Sequence, residues 1–265
     1  MIRIHSSYHS VMPHIRLKTA AVLVLLATAA AGADKKILVY TRNYTPDGKG
    51  YVHDNIQHSV DAIKKMGEEG GFGVDVSNDP AVFTADNLKQ YKALVFSNSN
   101  NEAFAGDAQR DAFRGYIRSG GGFVGIHSAT GSERKWEYYW SVIGGSFRRH
   151  PKVQKFTVRV QDPAHPATRG LPASFEWTDE CYYHDKLNPD IKPLLVTDPT
   201  QLDDPKKAEY PGDRFGNAMP LAWYNTFDGG RQFYTALGHI KTDYANAILH
   251  KHILGGILWA MGEAR

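Results

Sequence analysis

The stretch Gly120-Gly121-Gly122-Phe123-Val124-Gly125-Ile126-His127-Ser128-Ala129-Thr130 constrains this chain more than any other. Phe123, Val124 and Ile126 form an apolar run between glycines that stops abruptly at a polar group, which reads as a buried parallel strand entering a sharp turn. In open α/β sheets, ligands bind beyond the carboxyl ends of the strands. A side chain on such a strand-to-helix turn projects into that crevice, as in the nucleophile elbow of hydrolases. The residue here is His127 rather than serine or cysteine. The turn is therefore suited to acid/base or ligand chemistry, not to a covalent nucleophile.

The strands and helices around it follow one alternating plan. Residues 36–40 (Lys-Ile-Leu-Val-Tyr), 73–77 and 93–97 read as short apolar strands. Between them, Ile56, Val60 and Ile63 recur at helical spacing, as do Phe113 and Ile117 in 106–119. That alternation predicts an α/β fold of three layers, a doubly wound and mostly parallel sheet of flavodoxin-like type. Residues 220–225 and 232–237, joined through Gly229-Gly230, predict an added antiparallel hairpin, and a final apolar helix follows over Ile248 to Leu258. No repeat or linker marks a second domain within 34–265.

The first 33 residues read differently. Arg3, Arg16 and Lys18 precede an alanine- and leucine-rich run over 20–31, and Ala31-Gly32-Ala33 offers a cleavage site of small residues. This is the pattern of a secretory signal peptide cut after Ala33, which predicts a periplasmic or secreted protein with no membrane span once cleaved. The leader holds three of the 31 Lys+Arg and none of the 28 Asp+Glu, so the remaining 232 residues carry 28 of each. A balanced chain gives no support to a nucleic-acid partner. With one cysteine, Cys181, no intrachain disulfide can form. A nucleophilic role for it is disfavoured, because no histidine partner lies nearby in sequence. A homo-oligomer is compatible with everything in the chain.

Nine of the 12 histidines lie beyond the leader. His53, His127 and His239 each follow a strand expected to end on the same sheet edge, and His150 and His184 follow turns able to fold over it. Imidazole at such a site serves as general acid/base or as ligand to a divalent metal such as zinc or manganese, and spacing alone does not separate the two. Glu180 and Tyr183 offer a base or ligand and a phenolic donor, whereas Asp179 reads as a surface residue and His165 as a structural one. Trp223 and Trp136, among other aromatics, are candidates for stacking on sugar rings, and Asn98 heads a polar run after the strand at 93–97.

Several motifs in fixed order resemble the ThuA-like (trehalose utilisation) family. They are Gly-Gly-Gly-Phe-Val-Gly-Ile-His-Ser-Ala at 120–129, Gly-Gly-Ser-Phe-x-x-His-Pro at 144–151, His165-Pro166, Asp179-Glu180-x-x-Tyr183, and Gly230-Arg231-x-Phe-Tyr-x-x-Leu-Gly238-His239. The resemblance runs from about Lys36 to the C-terminus. It implies a fold like that of class I glutamine amidotransferases, with His127 where those enzymes place the elbow cysteine, which argues against glutaminase activity. It further implies a carbohydrate substrate, a disaccharide or a glycoside oxidised to its 3-keto form. On this reading His53, His127 and His239 form the catalytic core and the site of any metal, with Glu180 and Tyr183 assisting in catalysis. His150, Trp223, Trp136 and Asn98 contact the sugar. A non-catalytic sugar-binding protein that kept the fold is the alternative.

Overall fold

The computed structural model describes residues 1–2, 35–206 and 215–264. The chain divides into two units, Met1–Ala30 and Ala31–Arg265, and the second is described below. The expected signal peptide and its cleavage point lie outside the described residues, Met1 and Ile2 apart. Among the described residues no helix is long and apolar enough to cross a membrane.

Nine strands form one sheet. In chain order they are β1 (Lys36–Tyr40), β3 (Gly73–Ser77), β4 (Ala93–Ser97), β6 (Gly122–Ile126), β8 (Gln154–Val160), β9 (Ser174–Asp179), β11 (Lys192–Thr197), β12 (Met219–Phe227) and β13 (Gly230–Thr235). Their spatial order is β3-β1-β4-β6-β13-β12-β11-β8-β9. The first five run parallel, and from β13 onward each neighbour is antiparallel. The expected hairpin, β12–β13, is thus the hinge between a parallel half and a four-strand antiparallel extension. Two small sheets lie apart from the main one. One pairs β2 (Asn43–Tyr44) with β5 (Asn100–Asn101), the other β7 (Ser146–Arg149) with β10 (Tyr183–Asp185).

The inner parallel strands β1, β4 and β6 are apolar on both faces because helices cover both. In β1, Ile37 and Val39 enter one core, while Leu38 and Tyr40 enter the other. Ala93 and Val95 part from Leu94 and Phe96 in the same way. The first core packs under α1 (Ile56–Gly70) and α5 (Ala247–Met261), the second under α3 (Asp107–Arg118) and α4 (Glu137–Ile143). A short helix, α2 (Ala85–Leu88), adds Leu88 to the second core. Helix α5 starts with Asn246 accepting from the Ile248 N–H, and it ends at Gly262, whose φ of 82° suits a glycine C-cap. Within it Gly256 lets the helix press on the Phe233 ring, where any Cβ would collide.

This arrangement aligns the carboxyl ends of β1, β4, β6 and β13 along one edge. The chain leaves β6 directly into a 3₁₀ turn, His127–Gly131. His127 itself has φ +51°, a left-handed conformation that costs a non-glycine residue of order 1 kcal/mol. The Tyr234 hydroxyl of neighbouring β13 donates to the His127 carbonyl at 2.8 Å and holds the bend.

Candidate functional site

Four side chains from four separate segments converge at this edge: His53 before α1, His127 on the turn after β6, Glu180 after β9, and His239 after β13. One potential ligand atom from each lies within 4.8 Å of all the others. His127 Nε2 is 3.2 Å from His53 Nε2 and 3.4 Å from Glu180 Oε2, and His239 Nδ1 is 3.3 Å from that same oxygen. His127 is 0 % exposed, and His53 and Glu180 are also buried.

Hydrogen bonding decides which atoms carry lone pairs. His127 Nδ1 lies 2.8 Å from the Ala236 carbonyl, which only accepts, so the ring proton sits on Nδ1 and the neutral ring presents a bare Nε2 to the cluster. The Tyr182 hydroxyl, 2.8 Å away, donates to that nitrogen. His239 Nδ1 is buried and makes no hydrogen bond, although Glu180 is close, and His53 Nδ1 is likewise unpaired. Burial pushes the His53 imidazole down to about 3, with further lowering from the charges of His127 and His239. His239 is lowered by the same burial, opposed by Glu180. Burial would raise Glu180, but the contact with His127 and the charges of His127, His150 and His239 hold it down at about 2. The site thus combines an ionised carboxylate with two imidazoles, His53 and His239, that burial holds against protonation, each with a ring nitrogen left unpaired.

That is the electrostatic condition a cation relieves. Ligands about 2.0–2.1 Å from a tetrahedral zinc stand about 3.3 Å apart, close to the 3.2–3.4 Å separations among these atoms. The donor set, three imidazoles and a carboxylate, suits a borderline divalent ion. His53, His127, Glu180 and His239 therefore form a cluster able to hold a metal.

Asp179 positions two of these residues. It is 0 % exposed rather than on the surface as the sequence reading had it, and its carboxylate accepts four N–H groups. Oδ1 accepts from the backbone of Glu180 (2.8 Å) and His239 (3.3 Å), while Oδ2 accepts from Gly238 (2.8 Å) and the Trp177 indole (3.1 Å). One buried carboxylate thereby ties the end of β9, at the far margin of the sheet, to the loop after β13.

A cavity of about 330 Å³ opens onto the cluster, lined by Tyr51, His53, Asn100, Arg134, Phe147, His150, Glu180 and Tyr182. His150 stacks on Tyr182 at 5.7 Å and brings Nε2 within 3.4 Å of Glu180 Oε1. It stands as expected, at the mouth.

Other expected site residues lie elsewhere. Tyr183 does not face the cluster; in the extended run from Glu180, residues 180 and 182 share a side and 183 turns away, against the Arg149 guanidinium at 4.3 Å. The phenol in the site is Tyr182. Trp223 is 0 % exposed, with its indole donating to the Ile143 carbonyl at 2.8 Å, so it offers no face to a sugar. Trp136 packs on Phe104 and Phe113 beneath Arg110 and Arg114. Asn98 is buried behind the cluster, its amide donating to the Tyr244 hydroxyl at 2.9 Å. The aromatic walls are instead Tyr51, Phe147 and Tyr182, for which the sequence carried no distinguishing pattern. His184 is buried between the Thr130 and Tyr234 hydroxyls, and burial pushes it down to about 3. Cys181 is fully buried and its thiol is pushed up, the reverse of an activated nucleophile.

Comparison with known proteins agrees with this geometry. Among curated proteins no sequence relative matches. A ThuA-like protein from Bacteroides uniformis superposes with a TM-score of 0.69 at 24% identity, covering 91% of this chain and 96% of that one. A second, from Parabacteroides merdae, gives 0.62 at 22%, covering 88% and 91%. A β-galactosidase from Rahnella sp. R3 gives 0.53 at 15%, covering 88% of this chain but 32% of the enzyme, a likeness of fold alone. The sequence model of the family described as trehalose utilisation matches residues 36–260. Fold and sequence together place the chain in the ThuA family, with His127 on the turn after β6.

Proposed function

We propose that this protein is a carbohydrate-processing enzyme that cleaves disaccharides in their 3-keto form, with a divalent ion, zinc or manganese, held by His53, His127, Glu180 and His239. The observation that carries the reading is the convergence of these four donors within 4.8 Å, with nitrogens left unpaired, at the floor of a sugar-sized cavity. The family's link to trehalose utilisation supports a saccharide substrate. The leader-like first 33 residues support a periplasmic or secreted location.

A ketone at C3 of a glycoside acidifies the proton at C2. Removing that proton lets its electron pair form the C1–C2 double bond as the C1–oxygen bond breaks, and the departing oxygen takes up a proton. The divalent ion, when bound, supplies a Lewis acid for the ketone oxygen. His150, at the cavity mouth and paired with Glu180, is placed to take the C2 proton. The Tyr182 hydroxyl, which lines the cavity beside His127, is placed to protonate the leaving oxygen. Burial keeps His53 unprotonated near neutral pH, so it remains available as a ligand.

The test is turnover of 3-keto-trehalose against trehalose, with metal content measured on the same preparations. We expect selective consumption of the keto form, and a loss of about 10²-fold or more in His127→Ala with the melting temperature within a few degrees. Unchanged turnover in that variant would end the assignment. A protein that binds the sugars without consuming either form would be a binding protein instead.

A further inference from the structure

Four of the described arginines have carboxylate partners. Arg110 pairs with Glu133, Arg114 with Asp111, Arg118 with Asp228 and Arg149 with Asp204. Arg134, which lines the cavity beside the cluster, pairs with no carboxylate among the described residues. Its Nε donates to the Gly131 carbonyl at 3.0 Å, and its Nη2 reaches the Asn100 side-chain oxygen at 3.4 Å. The guanidinium lies over the Phe147 ring, 5.2 Å from its centroid. Two of its five N–H groups are accounted for, so Nη1 and one hydrogen of Nη2 remain for a ligand. The residue as a whole is exposed, yet its head group is desolvated enough to lower its pKa.

The fork is held before any ligand arrives. The Gly131 carbonyl, Asn100 and the Phe147 face fix its plane, and a preoriented guanidinium loses little freedom when it binds an oxyanion with two parallel hydrogen bonds. Of the eight residues lining the cavity, Glu180 is the one carboxylate, and it is already surrounded by imidazoles. A neutral sugar would leave the free N–H groups of Arg134 to water, with Asp185 as its neighbouring charge. A negatively charged one would pair with them, and would keep that charge away from Glu180.

We propose that the cavity recognises a sugar bearing an oxyanion, a carboxylate or a phosphate, through Arg134, with Asn100 and Phe147 as the residues that position its guanidinium. This deepens the carbohydrate reading above and rests on it. Arg134 then orients the substrate, directing the ring carbons toward the imidazoles and the anion toward the rim.

The experiment is calorimetric titration of the full chain, with its metal content measured, using glucuronate, glucose 6-phosphate and glucose. At least one anionic sugar is expected to bind about tenfold or more tighter than glucose. The arm that shows this separates carboxylate from phosphate. Arg134→Gln should remove that preference with metal content unchanged, whereas Arg134→Lys, a point charge without the fork, should retain part of it. Equal binding of all three sugars, or a preference that survives in Arg134→Gln, overturns the proposal and leaves the carbohydrate site standing. If none of the three binds the unaltered protein, this proposal falls, and turnover of 3-keto-trehalose decides the carbohydrate reading separately.

Discussion

Two groups of buried histidines occupy separate places in this molecule, and burial alone does not tell them apart. His165 and His252 are as inaccessible as His53 and His127, and burial pushes both down to about 4. They bracket one residue. His165 Nδ1 accepts from the Ala167 N–H at 3.1 Å, and His252 Nδ1 donates to the Ala167 carbonyl at 2.8 Å. Aromatic neighbours fill the remaining space, with Tyr224 stacked on His165 at 4.4 Å and Phe233 against His252 at 5.1 Å. No carboxylate pairs with either among the described residues. Around His127 the ring nitrogens face one another and an ionised glutamate. The lesson is that convergence of donors on a common point, not a lowered pKa, separates a candidate site from well-packed core imidazoles.

The largest expected effect exploits that difference. Glu180→Gln keeps the volume but removes the one carboxylate among the four donors. We expect metal affinity to fall about 10-fold or more and keto-glycoside turnover about 10²-fold, measured by metal titration and by assay. His252→Gln, within α5, should leave both within twofold and cost about 1–2 kcal/mol of stability by denaturant titration. Equal metal loss in the two variants would break the distinction.

Asp179→Ala tests whether the cluster depends on its support. Four N–H donors would lose their acceptor in a buried setting, so a destabilisation of about 3 kcal/mol or more is expected in urea unfolding. Asp179→Asn, which retains one acceptor oxygen, should cost less, and metal affinity should fall in both because Glu180 and His239 lose their common anchor. Full metal affinity in a folded Asp179→Asn variant would show that the loops hold themselves.

The smallest effect lies in the pH dependence of stability. His53 and His184 sit near 3 in the folded chain, and His165 and His252 near 4, all below the 6.5 of an unperturbed imidazole. The unfolded chain therefore binds more protons than the folded one between those values. The stability these groups contribute is fully present above pH 6.5 and is lost as pH falls toward 3–4. Glu180, held near 2, contributes above about pH 4.5 and loses its share only as pH falls through 2. Melting temperatures from pH 8 to 4 should decline, and added divalent metal should raise them most near neutral pH, where protons do not compete for His53. A flat profile, or a metal effect that grows on acidification, would contradict this ordering.

Much of the architecture was legible beforehand. Strands β1 and β4 match residues 36–40 and 93–97, because strands covered on both faces must be continuous apolar runs with sharp ends, and the edge strand β3 matches 73–77. The meeting of His53, His127 and His239 was legible for a related reason: parallel connections bring every such residue back to one edge. The side on which Tyr182 and Tyr183 lie was not, because in extended chain a shift of one residue reverses every side chain.

What the sequence determined by itself was the parallel half of the sheet, the elbow and the three histidines at its rim, all consequences of local periodicity and short connections. Tertiary structure alone decided that Asp179 is an internal anchor, that Trp223 is core, and that Arg134 and Phe147 border the cavity. Those assignments depend on the run after β9 crossing to the loop after β13, about 60 residues later in the chain. Local propensity carries no record of contacts at that separation; they exist only once both halves of the sheet have packed.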